Sequence, residues 1–174
     1  MTRSQASHEN DRPKRRSTGE KLIATNPIAR SNFSIESTLE AGLVLTGTEI
    51  KSIRAQSPNL RDGFVEVSQS GSRFEAWLVN THIAPYSHGN IWNHEPLRRR
   101  KLLLHAKEIE RLWGALTQRG MTIVPTRMYF KDGLVKIEIG VGKGKNKIDK
   151  RDDIKSRSAE REMDRAMKHD RRKK

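Results

Sequence analysis

The sequence predicts a mainly β fold: a small antiparallel barrel with peripheral α-helices, ending in a basic tail. Three observations predict it. Short apolar runs are separated by the turn pairs Ser70-Gly71 and Asp132-Gly133, the second being the strongest two-residue hairpin signal in the chain. One segment of the domain carries a convincing helical stripe, Ile109, Leu112, Trp113 and Leu116, at i, i+3, i+4 and i+7. Of the 174 residues 33% are hydrophobic and 32% charged, so the packed core is smaller than the chain.

Residues 1–25 are rich in Ser, Thr, Arg and Lys without apolar periodicity. They are expected to form a disordered basic leader, and no site is assigned to them. From Phe33 the alternation Phe33, Ile35, Ser37, Leu39 is that of a half-buried strand, interrupted at Gly42 and resumed by Leu43-Val44-Leu45. Glu49–Arg54 then places Ile50 and Ile53 three apart, with Thr48 available as N-cap of a short helix. Gly63–Ser68 and Arg73–Ile83 read as two strands around Ser70-Gly71, and a polar loop, Ala84–Pro96, follows. The basic run Arg98–Lys101 abuts Leu102-Leu103-Leu104, after which comes the helical stripe, with Gly120 placed to end it. Met121–Phe130 and Leu134–Val141 flank Asp132-Gly133. Five or six short strands with one good helix inserted late suit an OB-fold-like antiparallel barrel over residues 26–145, leaving 146–174 as a basic C-terminal tail.

Charge follows the same division. Residues 1–30 carry seven basic and three acidic side chains, residues 31–142 fourteen and eleven, and residues 143–174 fourteen and seven. A nearly balanced middle with cationic ends suits a fold whose arms seek polyanions. The tail lacks the Trp, Phe and Leu that insert into lipid, so nucleic acid is favoured over a membrane surface. Ala159, Met163, Ala166 and Met167 form a thin apolar stripe opposite Arg157, Arg161, Arg165, Lys168 and Arg172. Such a segment is expected to be disordered when free and helical once phosphates neutralise its basic row. The stretch Gly140–Arg151 interleaves three glycines with four lysines and an arginine, a composition that lets backbone approach a phosphate chain closely.

Several functions are excluded. The absence of cysteine removes disulfides and thiolate metal sites. No run approaches the length of a transmembrane helix and Met1–Arg16 has no hydrophobic segment, so a cytoplasmic protein is expected. Gly140–Lys145 has neither Walker A spacing nor the Ser or Thr that must follow its lysine, the chain placing Asn146 there. His82, His88 and His94 span a strand end and a loop without a helical ligand pair, and no metal or other cofactor is assigned. No serine lies in a nucleophile elbow, and Asp152-Asp153 sits in the tail, where pre-organisation is poor. No catalytic residue is nominated, and the chain is read as a non-enzyme.

Glu40–Arg54, Asn59-Leu60 with Asp62, Arg100–Leu104, and Gly140–Lys145 with Asp149-Lys150-Arg151 closely resemble the SsrA-binding protein SmpB family, in one order from about Asn26 onward. The resemblance implies an RNA-binding adaptor with an OB-fold-like barrel that binds the tRNA-like domain of transfer-messenger RNA (tmRNA). It would deliver that RNA to stalled ribosomes for trans-translation, meaning ribosome rescue and peptide tagging. Implied partners are tmRNA, the small-subunit decoding centre and mRNA channel of the ribosome, and, through charged tmRNA, elongation factor Tu and alanyl-tRNA synthetase; no membrane is implied. Carried over by position, the RNA-binding surface includes Asn26, Phe33, Glu40, Leu103 and Lys136. The ribosome-directed tail includes Gly144, Lys145, Asp149, Lys150 and Arg151. The chain departs from the family pattern at Ser31 and Ile148. Structural roles stand beside these assignments: Leu103 as core, Glu40 as a partner of Lys136 or an arginine, Phe33 inside the barrel. Two rival functions are a general single-strand RNA-binding barrel and a metal-dependent nuclease.

Overall fold

The computed structural model describes residues 19–146 and Met163. Seven strands and three helices occupy these residues: β1 (Lys21–Thr25), α1 (Pro27–Asn32), β2 (Phe33–Leu43), α2 (Gly47–Ala55), β3 (Phe64–Ser70), β4 (Arg73–Val79), β5 (Arg100–Leu103), α3 (Ala106–Leu116), β6 (Met121–Lys131) and β7 (Leu134–Gly144). The strands form one antiparallel sheet in the order β1-β6-β7-β2-β5-β4-β3. It curls so that β3 packs against β6. The mainly β, barrel-like class expected from the sequence is the architecture observed.

Alternation builds the core. Along β7, Val135, Ile137, Ile139 and Val141 point inward, while Lys136 and Glu138 lie on the other face. Val65 and Val67 of β3, Ala76 and Leu78 of β4, and Met128 of β6 join them. Ile109 and Leu112 of α3 pack onto the same core, whereas Trp113 stays 39% exposed and stacks on Phe74 at 5.1 Å between ring centroids. Asp132 and Gly133 take φ of 51° and 80°, the left-handed pair that a two-residue hairpin needs. This turn fixes Lys131 opposite Leu134, and from there Tyr129 opposite Lys136.

The structure differs from the sequence reading in several places. Residues 21–25, read as the end of the leader, form edge strand β1 paired with β6. Helix α1 went unread although Asn26-Pro27 is a cap followed by a proline at the first helical position. Helix α2 begins at Gly47 behind Thr46 rather than Thr48, because Glu49 accepts the Thr46 backbone N–H at 2.7 Å and closes a capping box. Helix α3 ends at Leu116 with Thr117 as its cap; Gly120, with φ of 82°, serves the turn into β6 instead. Strand β7 runs to Gly144, three residues beyond the expected end. The rest of the leader and the tail's expected helix lie outside the described residues, apart from an exposed Met163 in helical conformation.

Candidate nucleic-acid interface

A groove of about 720 Å³ opens where β2, β5, β7 and α3 meet, lined by Glu40, Gly42, Phe74, Leu103, Glu108 and Lys136 among others. The sheet register explains why. Gly42 is paired with Leu103 on one side and Lys136 on the other. A side chain at Gly42 would put its Cβ 3.2 Å from the Leu103 Cβ, so the glycine lets Leu103 lie across the strand. Leu103 is 56% exposed and is not core. Three of the five RNA-binding residues implied by the resemblance, Glu40, Leu103 and Lys136, therefore share one surface.

Glu40 anchors the polar side of the groove. Its Oε2 accepts hydrogen bonds from the Tyr129 hydroxyl at 2.5 Å and the Lys131 ammonium at 2.9 Å, while Lys136 Nζ stands 3.8 Å from Oε1. The Tyr129 and Lys131 hydrogen bonds hold the Glu40 carboxyl below the usual carboxylate range. Burial and the Glu40 carboxylate push the Tyr129 phenol up, so Tyr129 remains a donor. Next to them Arg127 donates to Glu138 at 2.9 Å and stacks over the Tyr129 ring at 5.0 Å. The result is a surface of cations oriented by two carboxylates, which suits phosphate recognition. Tyr129, Lys131 and Arg127 were missed from sequence. Their signal was available, since counting outward from Asp132-Gly133 puts 131, 129 and 127 beside 134, 136 and 138 in the observed register.

Asn26 and Phe33 lie elsewhere. Asn26 is 6% exposed. Its Oδ1 accepts the Ile28 and Ala29 backbone N–H groups, and its Nδ2 donates to the carbonyls of Leu60 and Pro125, both at 2.9 Å. It caps α1 and ties the helix to the barrel, leaving no exposed face for RNA. Phe33 is not inside the barrel: a bulge between Ile35 and Ser37 switches the faces of β2, so Phe33 sits across from Gly144 on the outer face. It lines a separate pocket with Arg30, Ile35, Thr126, Glu138 and Lys145.

The glycines of Gly140–Gly144 do not form a phosphate cradle. They belong to β7, and a Cβ on Gly142 would fall 2.2 Å from the Ser34 carbonyl oxygen; the smallness of Gly142 serves the close approach of β2. Gly144 pairs with Phe33. Lys145 donates its backbone N–H to Asn32 O at 2.8 Å and its ammonium to Arg30 O at 3.0 Å, so the start of the tail is fastened to the C-terminal end of α1. Ser31 donates its hydroxyl to Ile28 O at 3.0 Å within the same helix. Asp149, Lys150, Arg151 and Ile148 lie outside the described residues.

Between α2 and the β4–β5 loop, Glu49 and Arg100 are fully buried. Glu49 Oε1 accepts from Arg98 Nε and Arg100 Nε, both at 2.8 Å, and Oε2 accepts from Arg98 Nη2 at 2.6 Å. Burial pushes the Glu49 carboxyl up, but the Arg98 and Thr46 hydrogen bonds and the Arg100 charge outweigh it and hold the group down at about 2. His94, buried, bridges Thr48 Oγ1 at 3.0 Å and Ile83 O at 3.2 Å. Among the described residues no three metal-ligating side chains converge, and no helix is long and apolar enough to cross a membrane.

A sequence profile described as SmpB protein matches residues 23–169. The SsrA-binding protein of Streptococcus suis is 55% identical over 147 residues, covering 84% of this chain and 92% of that protein. The SsrA-binding proteins of Limosilactobacillus reuteri and Streptococcus pneumoniae are each 53% identical over 148 residues, covering 85% of this chain and 92% and 93% of theirs. A solved structure described as "tmRNA-SmpB: a journey to the center of the bacterial ribosome" is similar at a TM-score of 0.60 and 40% identity, covering 72% of this chain and 86% of its own.

Proposed function

The chain belongs to the SmpB protein family, and from that premise we propose that the groove between β2, β5, β7 and α3 is where it holds its RNA. The chain binds tmRNA and acts in trans-translation at the ribosome. The convergence of Glu40, Leu103 and Lys136 on one groove carries the assignment. An exposed leucine supplies an apolar contact, while Lys136 and Lys131, oriented by Glu40, meet phosphates of a folded RNA. The tRNA-like domain of tmRNA is the part it takes. The protein is an adaptor without a catalytic step, working in the cytoplasm with elongation factor Tu and alanyl-tRNA synthetase reached through the charged RNA.

Two functional units follow: the barrel, residues 26–145 in the sequence division with β1 now joined to it, and the tail, 146–174. Asn26 belongs to the first unit by holding α1, and Phe33, Gly144 and Lys145 form its boundary with the second. The tail, with Asp149, Lys150 and Arg151, acts in the decoding centre and mRNA channel. Deleting residues 146–174 tests this division. Binding to the tRNA-like RNA stays near wild type while peptide tagging on stalled ribosomes is abolished; equal loss of both activities refutes the two-unit reading.

A further inference from the structure

The loop between β4 and β5 carries a feature outside the groove. Ile91 and Trp92 are 81% and 83% exposed, the two most exposed large hydrophobic residues among those described. They form a single 3-10 turn, Asn90–Trp92. The loop beneath them is braced. Asn93 accepts the Tyr86 N–H at 3.0 Å and donates to Tyr86 O at 2.7 Å, and Gly89 N donates to the same oxygen at 2.8 Å. Gly89 leaves no room for a side chain, since a Cβ there would lie 2.7 Å from Asn93 Nδ2. Asn90 takes φ of 46°, a left-handed conformation unfavourable for most L-residues. His94 and the Ser52 hydroxyl, which donates to Ala84 O at 2.6 Å, tie the loop to α2. A rigid loop that holds an indole and an isoleucine in water is a contact surface awaiting a partner.

Charge and position select the partner. Residues 84–93 include no acid, and α2 beneath the loop exposes Lys51 and Arg54 while its Glu49 is buried. Lys51 stands 5.6 Å from the Tyr86 ring centroid, and His88 lies 5.4 Å from the same ring. Glu95, exposed, is the one acid in the loop. Aromatic side chains beside cations are how proteins stack unpaired bases. The loop sits at the Leu43 end of β2, through α2, whereas the tail starts beside Phe33 at the opposite end of the same strand. Ten residue steps at roughly 3.3 Å separate those ends by about 30 Å of strand. The groove residues Glu40 and Gly42 lie in the half nearer the loop. We infer that Trp92, with Ile91, stacks on an unpaired base of the same tmRNA held in the groove, as a second contact that relies on the RNA-binding reading above.

The full-length chain and its Trp92→Ala and Trp92→Phe variants test this, with the tRNA-like part of tmRNA as probe. Because Trp92 is exposed, both variants keep the wild-type melting temperature. Trp92→Ala binds about 5- to 20-fold more weakly, Trp92→Phe within about threefold of wild type, as base stacking on an aromatic ring predicts. The RNA-dependent quenching of indole fluorescence falls in both variants relative to wild type. Affinity for ribosomes without tmRNA is unchanged in Trp92→Ala. Wild-type RNA affinity in Trp92→Ala overturns the inference. So does a defect confined to ribosome binding, or a loss of self-association in sedimentation as the sole effect. A wild-type chain that fails to bind the RNA refutes the proposed function itself, whereas wild-type binding with an unaffected Trp92→Ala refutes the second contact alone.

Discussion

Replacing Glu49 by Gln removes one charge from a site that contains a fully buried guanidinium. Arg100 would keep its hydrogen bonds to Thr81 O at 2.6 Å and Pro96 O at 2.9 Å but lose the only carboxylate bonded to it among the described residues. Two routes give the magnitude. Removing one partner of a buried pair costs about 3–5 kcal/mol. The carboxyl is held at about 2, against an ordinary 4.5, and such a shift at roughly 1.4 kcal/mol per unit is worth about 3 kcal/mol. With an unfolding entropy of about 2.1 cal/mol/K per residue, the barrel's melting temperature falls by roughly 11–19 °C. A folded-state pKa below the unfolded one means stability that is complete above about pH 4.5 and lost as pH drops toward 2. The wild-type advantage over Glu49→Gln, measured by urea unfolding, therefore shrinks by about 2 kcal/mol between pH 7 and pH 3. A difference below 1 kcal/mol at pH 7, or one that stays constant down to pH 3, refutes the reasoning.

Other positions separate roles in the same way. Asn26→Ala removes a helix cap and the two side-chain bonds to the carbonyls of Leu60 and Pro125, costing about 2–4 kcal/mol in chemical unfolding; at a temperature where the variant is folded, its affinity for the tRNA-like RNA stays within about threefold of wild type, and a tenfold loss would make Asn26 a direct contact. Gly142→Ala destabilises by about 1–3 kcal/mol through the Ser34 clash, whereas Gly144→Ala, with nothing within 4 Å of its Cβ, stays within about 0.5 kcal/mol; equal melting temperatures would refute the steric account. Lys136→Gln weakens RNA binding and lowers the slope of log affinity against log salt by about one, and an unchanged slope would mean that Lys136 meets no phosphate.

How much was legible depended on distance along the chain. Asp132-Gly133 is a local signal, and it fixed the register that brings Tyr129 beside Lys136. The alternation from Phe33 was equally local, but the bulge after Ile35 depends on β7 pairing, so nothing near Phe33 announced that its face would invert. Strand β1 has five residues and a sheet edge, too short for periodicity to show. The Asn26-Pro27 cap is a readable local signal, but the residues before it have the composition of a leader. Of the groove, family resemblance supplied Glu40, Leu103 and Lys136. It also supplied Asn26, which is buried and hydrogen-bonded into the fold. Glu49 and Arg100 are partners 51 positions apart, and no local pattern links them.

The run Arg98-Arg99-Arg100 reads as a uniform basic patch, yet its members have three different occupations. Arg100 is inside, Arg98 straddles the surface on Glu49, and Arg99 lies outside, bonded to Glu66 at 3.0 Å and stacked over Trp77 at 5.4 Å. Adjacent alanine substitutions would thus report on unrelated quantities. A fall in RNA retention after Arg100→Ala measures how many molecules are folded, and after Arg99→Ala it measures the surface. A scan of this segment becomes interpretable only when each binding value is divided by the folded fraction of the same sample.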